Sequence, residues 1–175
     1  MYTNNEDVRK RLQDNLSTIR KLAGWTMDEF GEKIGVTKQT ISNLEKGWDK
    51  SKMTQTQYIA IRAVLQYEIN CGEMEENRKN LLANALDILV DNPKEADDDK
   101  NKISIVATTL DSSKNNALPI AVIVAALGIG NLIRPLGVGA AEAAEAAAGG
   151  IIAGAGINTG IKWMQNFMKK DNKKV

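Results

Sequence analysis

The chain of 175 residues carries a formal net charge of +1, from 23 lysine and arginine side chains against 22 acidic ones. It contains no histidine and one cysteine, which excludes histidine-based catalysis, a zinc site made of cysteine and histidine, and an internal disulfide. The charge is uneven, with +2 over residues 1–72, −4 over residues 73–116 and +3 over residues 117–175. Residues 1–14 are polar and charged, unlike a signal peptide, so we expect a cytoplasmic protein.

The first predicted helix runs from residue 8 to residue 22. Its apolar side chains recur at helical spacing and form one stripe, made of Leu12, Leu16, Ile19 and Leu22. Ala23 and Gly24 follow the stripe and mark the end of the helix.

A second short helix is predicted to begin after Thr26, because Glu29 follows three residues later and completes a capping box. Its apolar stripe is made of Met27, Phe30, Gly31 and Ile34. Gly31 has no side chain, so another helix can cross close to it. Gly35 lies where the chain must turn sharply, a place for positive φ that glycine enters without strain.

A third predicted helix has the capping residue Thr37 in front of it and Gly47 behind it. Val36 and Ile41 make a hydrophobic staple at its start. Its outward face carries the polar side chains of Lys38, Gln39, Ser42, Asn43 and Lys46. Such a face suits the edges of bases and their flanking phosphates. Two short helices joined by a glycine turn form a helix-turn-helix, whose second helix can lie in a major groove.

The run WTMDEFGEKIGVTKQTISNLEKG, residues 25–47, resembles the Cro/phage-repressor (XRE) helix-turn-helix family, and the resemblance covers residues 15–69. It implies a five-helix domain that binds double-stranded DNA, usually as a dimer on a two-fold operator. By this resemblance Lys38, Gln39 and Asn43 lie where family members read bases. Thr37, Thr40 and Lys46 lie where they contact the DNA backbone or support the readers. Met27 departs from the glutamine that often contacts a phosphate in the family.

A loop over residues 48–53 follows the third helix and carries Lys50 and Lys52. The two lysines are placed to meet phosphates, and the alternative is that they belong to a solvated loop. Both interpretations stay open on the sequence alone.

Thr54 and Gln57 form a second capping box, which predicts a fourth helix as far as Ile69. Its inward residues are Tyr58, Ile61 and Leu65. We expect Cys71 to pack as a small apolar side chain at the end of this helix, and Gly72 to terminate it.

A fifth helix is predicted over residues 73–90, with a stripe made of Leu81, Leu82, Ala85, Leu86 and Leu89. This stripe can pack on its own domain or form a dimer seam, and the two uses are compatible. Pro93 stops the helix, and the acidic run 95–99 indicates a solvated linker rather than a metal site. Residues 103–110 are apolar and β-branched, which leaves strand and helix open.

The second half changes character at residue 117. Residues 117–133 contain no charge and would span about 26 Å as a helix, marginal against a bilayer core of about 30 Å. Residues 136–161 are rich in alanine and glycine, with Glu142 and Glu145 as their charged residues. One interpretation is membrane association through 117–161, at a cost for the two glutamates. The other is a soluble helical hairpin that packs against itself or a second copy.

Together these patterns predict an all-α protein: a helix-turn-helix domain over 1–90, a linker over 91–116, an apolar Ala/Gly-rich helical hairpin over 117–168 and a basic tail over 169–175. We predict a sequence-specific transcription regulator that reads the major groove with residues 38–46 and acts as a homodimer. It needs no cofactor and is not an enzyme. Its C-terminal half would supply oligomerisation or tether the protein to the inner face of the cell membrane. The alternative is a small pore-forming or toxin-like membrane protein with an autoregulatory DNA-binding domain.

Overall fold

The computed structural model describes residues 5–93 and 97–112, together with residues 120, 123 and 124. All regular secondary structure among these residues is helical, as the all-α prediction requires. The helices are α1 (Asn5–Asp14), α2 (Leu16–Ala23), α3 (Met27–Ile34), α4 (Lys38–Glu45), α5 (Gln55–Asn70), α6 (Glu76–Leu86) and α7 (Asp97–Ser112). A single π-helical turn, Asp87–Asp91, extends α6.

The predicted first helix is two helices in the structure, so the five helices expected before residue 90 become six. The break lies at Asn15, whose backbone leaves the helical region with φ −105° and ψ 8°. The Asn15 side-chain amide donates a hydrogen bond to the carbonyl of Arg11 at 2.8 Å. Asparagine side chains compete with the helix in this way for backbone partners, and the apolar periodicity does not reveal it.

The core is formed by the apolar stripes that the sequence predicts. Leu12, Leu16, Ile19 and Leu22 from α1 and α2 are fully buried. Phe30 of α3 and Ile41 of α4 pack into the same cluster, and the Phe30 ring stacks on Trp25 with 5.4 Å between centroids. Because α3 and α4 share this core, their relative orientation depends on packing as well as on the turn between them.

Both predicted capping boxes are present, at Thr26 with Glu29 and at Thr54 with Gln57. The expectation for Cys71 is wrong, because its side chain is exposed. The buried stripe of α5 advances through Ile61, Leu65 and Glu68, and the next position on that face is 72. Gly72 therefore occupies the crowded position, where an added Cβ would lie 2.7 Å from the backbone carbonyl oxygen of Glu68.

The apolar stripe of α6 packs on its own domain. All five of its side chains are buried among α1, α2 and α5: Leu81, Leu82, Ala85, Leu86 and Leu89. The stripe is buried against helices of the same chain, so these side chains are not available for a dimer interface.

Residues 97–112 form α7, in place of the linker predicted over 91–116. The helix packs against α2 through Ile103, Val106, Ala107 and Leu110, which are buried at i, i+3, i+4 and i+7. This resolves the open choice for residues 103–110 in favour of a helix. Ile120, Ile123 and Val124 are also helical and buried in the same core.

The rest of the predicted apolar hairpin, and with it the basic tail over 169–175, lies outside the described residues. Within the described part of the chain, no helix combines the length and the apolar character needed to cross a membrane.

Candidate nucleic-acid interface

The candidate interface is built on α4, an eight-residue helix that starts at a side-chain cap. The Thr37 hydroxyl oxygen accepts a hydrogen bond from the backbone N–H of Thr40 at 3.2 Å. The Thr37 and Thr40 hydroxyls also lie 3.1 Å apart, within hydrogen-bond distance. Thr37 has extended backbone angles, so the chain enters α4 from outside the helical region.

Two glycines set the bend between α3 and α4. Gly35 caps the end of α3 in the left-handed region with φ 73°, as predicted. Gly31 lies against the turn itself, since an added Cβ would be 2.6 Å from the carbonyl oxygen of Val36. The close neighbour of Gly31 is thus the backbone that leads into α4 rather than the side of another helix.

A row of polar side chains runs along the outer face of α4. The side-chain amide of Gln39 donates to the Asn43 amide oxygen at 2.9 Å, and the Lys46 ammonium donates to the same oxygen at 3.1 Å. These three residues follow one another at i, i+4 and i+7 and therefore share a face. The row presents amide groups and one positive charge side by side.

The residues predicted to contact DNA differ in exposure. Six of them are exposed: Thr37, Lys38, Gln39, Lys46, Lys50 and Lys52. Three are half-buried: Thr40, Ser42 and Asn43. All nine lie on α4, on its cap or on the loop that follows it, so they belong to one continuous segment of the chain.

An acidic residue that the sequence analysis did not single out lies beside this face. The carboxylate of Asp28 on α3 forms an ion pair with the Lys38 ammonium at 2.6 Å. Both side chains are more than half exposed, Asp28 at 57% and Lys38 at 61%. Lys38 therefore lies against α3. Water screens such an exposed pair strongly, so Lys38 can exchange this partner for another anion.

The inner side of α4 is held by a buried ion pair. Arg20 of α2 donates from two of its nitrogens to the two carboxylate oxygens of Glu45, at 2.6 and 3.2 Å. A third nitrogen of Arg20 donates to the carbonyl of Trp25 at 2.8 Å. Both partners of the ion pair are less than a tenth exposed, so this clamp fixes the last turn of α4 to α2 and to the entry of α3.

The loop after α4 is anchored by Trp48, which is buried. Two cations lie near its ring, Arg9 at 5.8 Å and Lys52 at 5.6 Å from the centroid. Lys52 is also 3.8 Å from the carboxylate of Glu6. The apolar stripe of the first predicted helix does not reveal the part that α1 plays here, and Glu6 precedes the predicted start of that helix at residue 8.

Residues 16–70 match the family model described as Helix-turn-helix, of the XRE type. The match covers α2 to α5 and coincides with the resemblance predicted over residues 15–69. No curated protein matches the chain, and no solved structure matches it. The family match supports a DNA-binding transcription regulator. Residues 16–70, which contain α3 and α4, therefore match a helix-turn-helix segment of the XRE type.

Proposed function

We propose that this protein is a sequence-specific regulator of transcription that reads the major groove of double-stranded DNA with residues 38–46. The observation that carries the proposal is the row of Gln39, Asn43 and Lys46 on a helix that is capped in front and clamped behind by Arg20 and Glu45. A polar row on a helix with a fixed backbone offers its donors and acceptors in a defined pattern.

Gln39 and Asn43 are the proposed base readers. A side-chain amide can pair with the N6 and N7 edge of adenine through one donor and one acceptor. The link between the two amides orients them before DNA arrives, which lowers the ordering cost of binding. We assign Lys38 to bases as well, and we place Ser42 at the edge of the surface that contacts DNA.

The phosphate contacts are assigned to the ends of α4. Lys46, Lys50 and Lys52 lie at or beyond its C-terminal end, and Thr37 with Thr40 forms the cap at its start. Lysines near a duplex backbone supply affinity without sequence information. This separates the proposed readers from the residues that position the domain.

A homodimer on a two-fold operator is part of the proposal. An eight-residue helix is about 12 Å long and covers few base pairs, so one copy reads a short sequence. A second copy related by a two-fold axis doubles the contacts and reads a palindrome. Binding to DNA requires access to the chromosome, and we therefore propose a cytoplasmic location.

The test of base reading starts from duplexes selected from a random library by the full-length protein. Gln39→Ala and Asn43→Ala should each relax the preference at one base position by about 1–3 kcal/mol, measured as the ratio of Kd values for matched and altered duplexes. The matched control is Asn101→Ala, which removes an exposed amide from α7 and should leave the preference unchanged. Unchanged selectivity in both reader variants would refute the assignment.

A role for residues 117–168 in oligomerisation or membrane anchoring remains a second proposal, motivated by the charge-free run 117–133. An alkaline carbonate wash of cell membranes separates the two uses. Retention of the protein in the membrane pellet supports anchoring, whereas its complete release rules out a spanning segment and favours a packed hairpin.

A further inference from the structure

The side chain of Gln13 on α1 is buried, with 1% of its surface exposed, although it is polar. Its amide nitrogen donates to the carbonyl of Leu44 at 3.0 Å and to the carbonyl of Ser51 at 2.5 Å. Its amide oxygen accepts from the backbone N–H of Met53 at 2.7 Å. Both donors and the acceptor of one side chain are thus used on backbone groups that lie 31 to 40 residues away in sequence.

These three partners require a glutamine amide. Two of them are carbonyls, which can only accept, and the third is an N–H, which can only donate. A glutamate would turn a charged oxygen toward two carbonyls, and a lysine could not accept from Met53. The pattern of partners also fixes which end of the amide is nitrogen.

The partners of Gln13 lie in the two halves of the candidate interface. One half is α4, whose last turn contains Leu44, and the other is the loop that follows it. In that loop, Ser51 and Met53 lie on either side of Lys52. Inside the loop, the N–H groups of Lys50 and Ser51 donate to the Gly47 carbonyl at 3.1 and 3.2 Å. Gln13 is therefore a direct tie between the helix and the segment that carries Lys50 and Lys52.

The two halves differ in what else holds them. Arg20 and Glu45 clamp the end of α4 independently of Gln13. The two ends of the loop are held by the buried side chains of Trp48 and Met53. From α1, Arg9 donates to the Met53 carbonyl at 3.3 Å, a long hydrogen bond. Loss of Gln13 should accordingly shift the exposed stretch between Trp48 and Met53, which carries Lys50 and Lys52, while α4 stays in place.

We propose that Gln13 is a positioning residue for DNA binding: it sets where Lys50 and Lys52 meet the phosphates relative to the bases that α4 reads. This inference rests on the proposed function and deepens it. It predicts that phosphate contact and base reading respond separately to a change at a buried residue that does not itself reach the DNA.

The experiment compares the full-length protein with Gln13→Met, which keeps the length of the side chain and removes its amide. Kd is measured between 50 and 300 mM salt on a selected duplex and on the same duplex with altered bases. The logarithm of the binding constant falls as log salt rises, and each lost phosphate contact reduces the magnitude of this negative slope by about 0.9. We therefore expect the magnitude of the slope to decrease by about 1 to 2 in Gln13→Met. The ratio of Kd values for matched and altered bases should not change.

A double-mutant cycle with Lys50→Ala/Lys52→Ala distinguishes positioning of the two lysines by Gln13 from a general loosening of the fold. If Gln13 acts through these lysines, adding Gln13→Met to their removal should not lower the slope further. An additional decrease, or an unchanged slope in Gln13→Met alone, overturns the inference. The control Gln57→Met removes a glutamine amide from the capping box at the start of α5 and should leave the slope as in the unmodified protein.

Two measurements cover the case in which Gln13→Met does not fold. Gln13→Asn keeps a buried amide but shortens its reach, and it should give the same decrease in slope. In the unmodified protein, the Met53 amide hydrogen should exchange at least about a hundredfold more slowly than in a peptide of the loop sequence, because it is bonded to a buried group. Exchange at the rate of the peptide overturns the inference. If the unmodified protein binds no duplex at low salt, the proposed function itself fails.

Discussion

The two sides of α4 carry ion pairs of similar length and opposite surroundings. On the outer side, Lys38 pairs with Asp28 in water; on the inner side, Arg20 pairs with Glu45 away from water. The outer pair is weak and exchangeable, because water and salt screen it. Removing one partner of the inner pair is strongly destabilising, because the other partner is then left as an unpaired charge in the core. The helix is therefore anchored through its back, while Lys38 on its front can change partner when an anion binds.

Breaking the inner pair should have the largest effect. Glu45→Ala leaves the Arg20 guanidinium buried opposite an apolar side chain, and we expect the free energy of unfolding to fall by about 3–5 kcal/mol. Urea titration followed by circular dichroism measures this loss. The double variant Arg20→Met/Glu45→Ala removes both charges and should recover part of the stability. A double variant as unstable as Glu45→Ala would contradict the account.

The turn that aims α4 gives an intermediate effect. Gly31→Ala places a Cβ 2.6 Å from the Val36 carbonyl, which forces the backbone of the turn to move and should cost about 1–3 kcal/mol. Thermal unfolding measures this cost. Ala63→Gly, an exposed change of the same size in α5, should cost about 1 kcal/mol or less through helix propensity. An unchanged melting temperature in Gly31→Ala would show that the turn is not tightly packed.

The outer pair should give the smallest change in stability and a visible change in binding. Asp28→Asn should alter the free energy of unfolding by less than about 1 kcal/mol, because the pair is exposed. It releases Lys38 and removes a negative charge next to the proposed reading face, so affinity for any duplex should rise and the salt slope should steepen by up to about 0.9. Glu76→Gln removes the same charge from α6 as a control. Equal gains in the two variants would contradict a local role for Asp28.

The sequence predicts the segment from Thr26 to Gly47 well because its structure is determined locally. A cap at Thr37, a box at Thr26 and Glu29 and a left-handed glycine at position 35 each depend on a few neighbouring residues. The apolar stripes of α1, α2, α5 and α6 are similarly visible in the spacing. Element type and buried face follow from such patterns without knowledge of tertiary contacts.

Contacts between distant segments account for what the sequence does not predict. Gln13 reads as one polar position on a helix, and its partners near residues 44 and 53 cannot be identified from spacing. The buried pair of Arg20 and Glu45, 25 residues apart, is equally hidden. The stripe of α7 has helical spacing, but the preceding acidic run indicates a linker, and the β-branched residues leave strand and helix open. The break at Asn15 depends on a side chain competing with the backbone.

The packing of α7 on α2 has a consequence for dissecting the protein. A fragment that stops near residue 90 keeps the whole helix-turn-helix match yet uncovers the face of α2 that α7 shields, and naked apolar surface promotes aggregation. A fragment that continues through Val124 retains that shield. The shortest fragment that avoids aggregation is therefore longer than the helix-turn-helix match over residues 16–70.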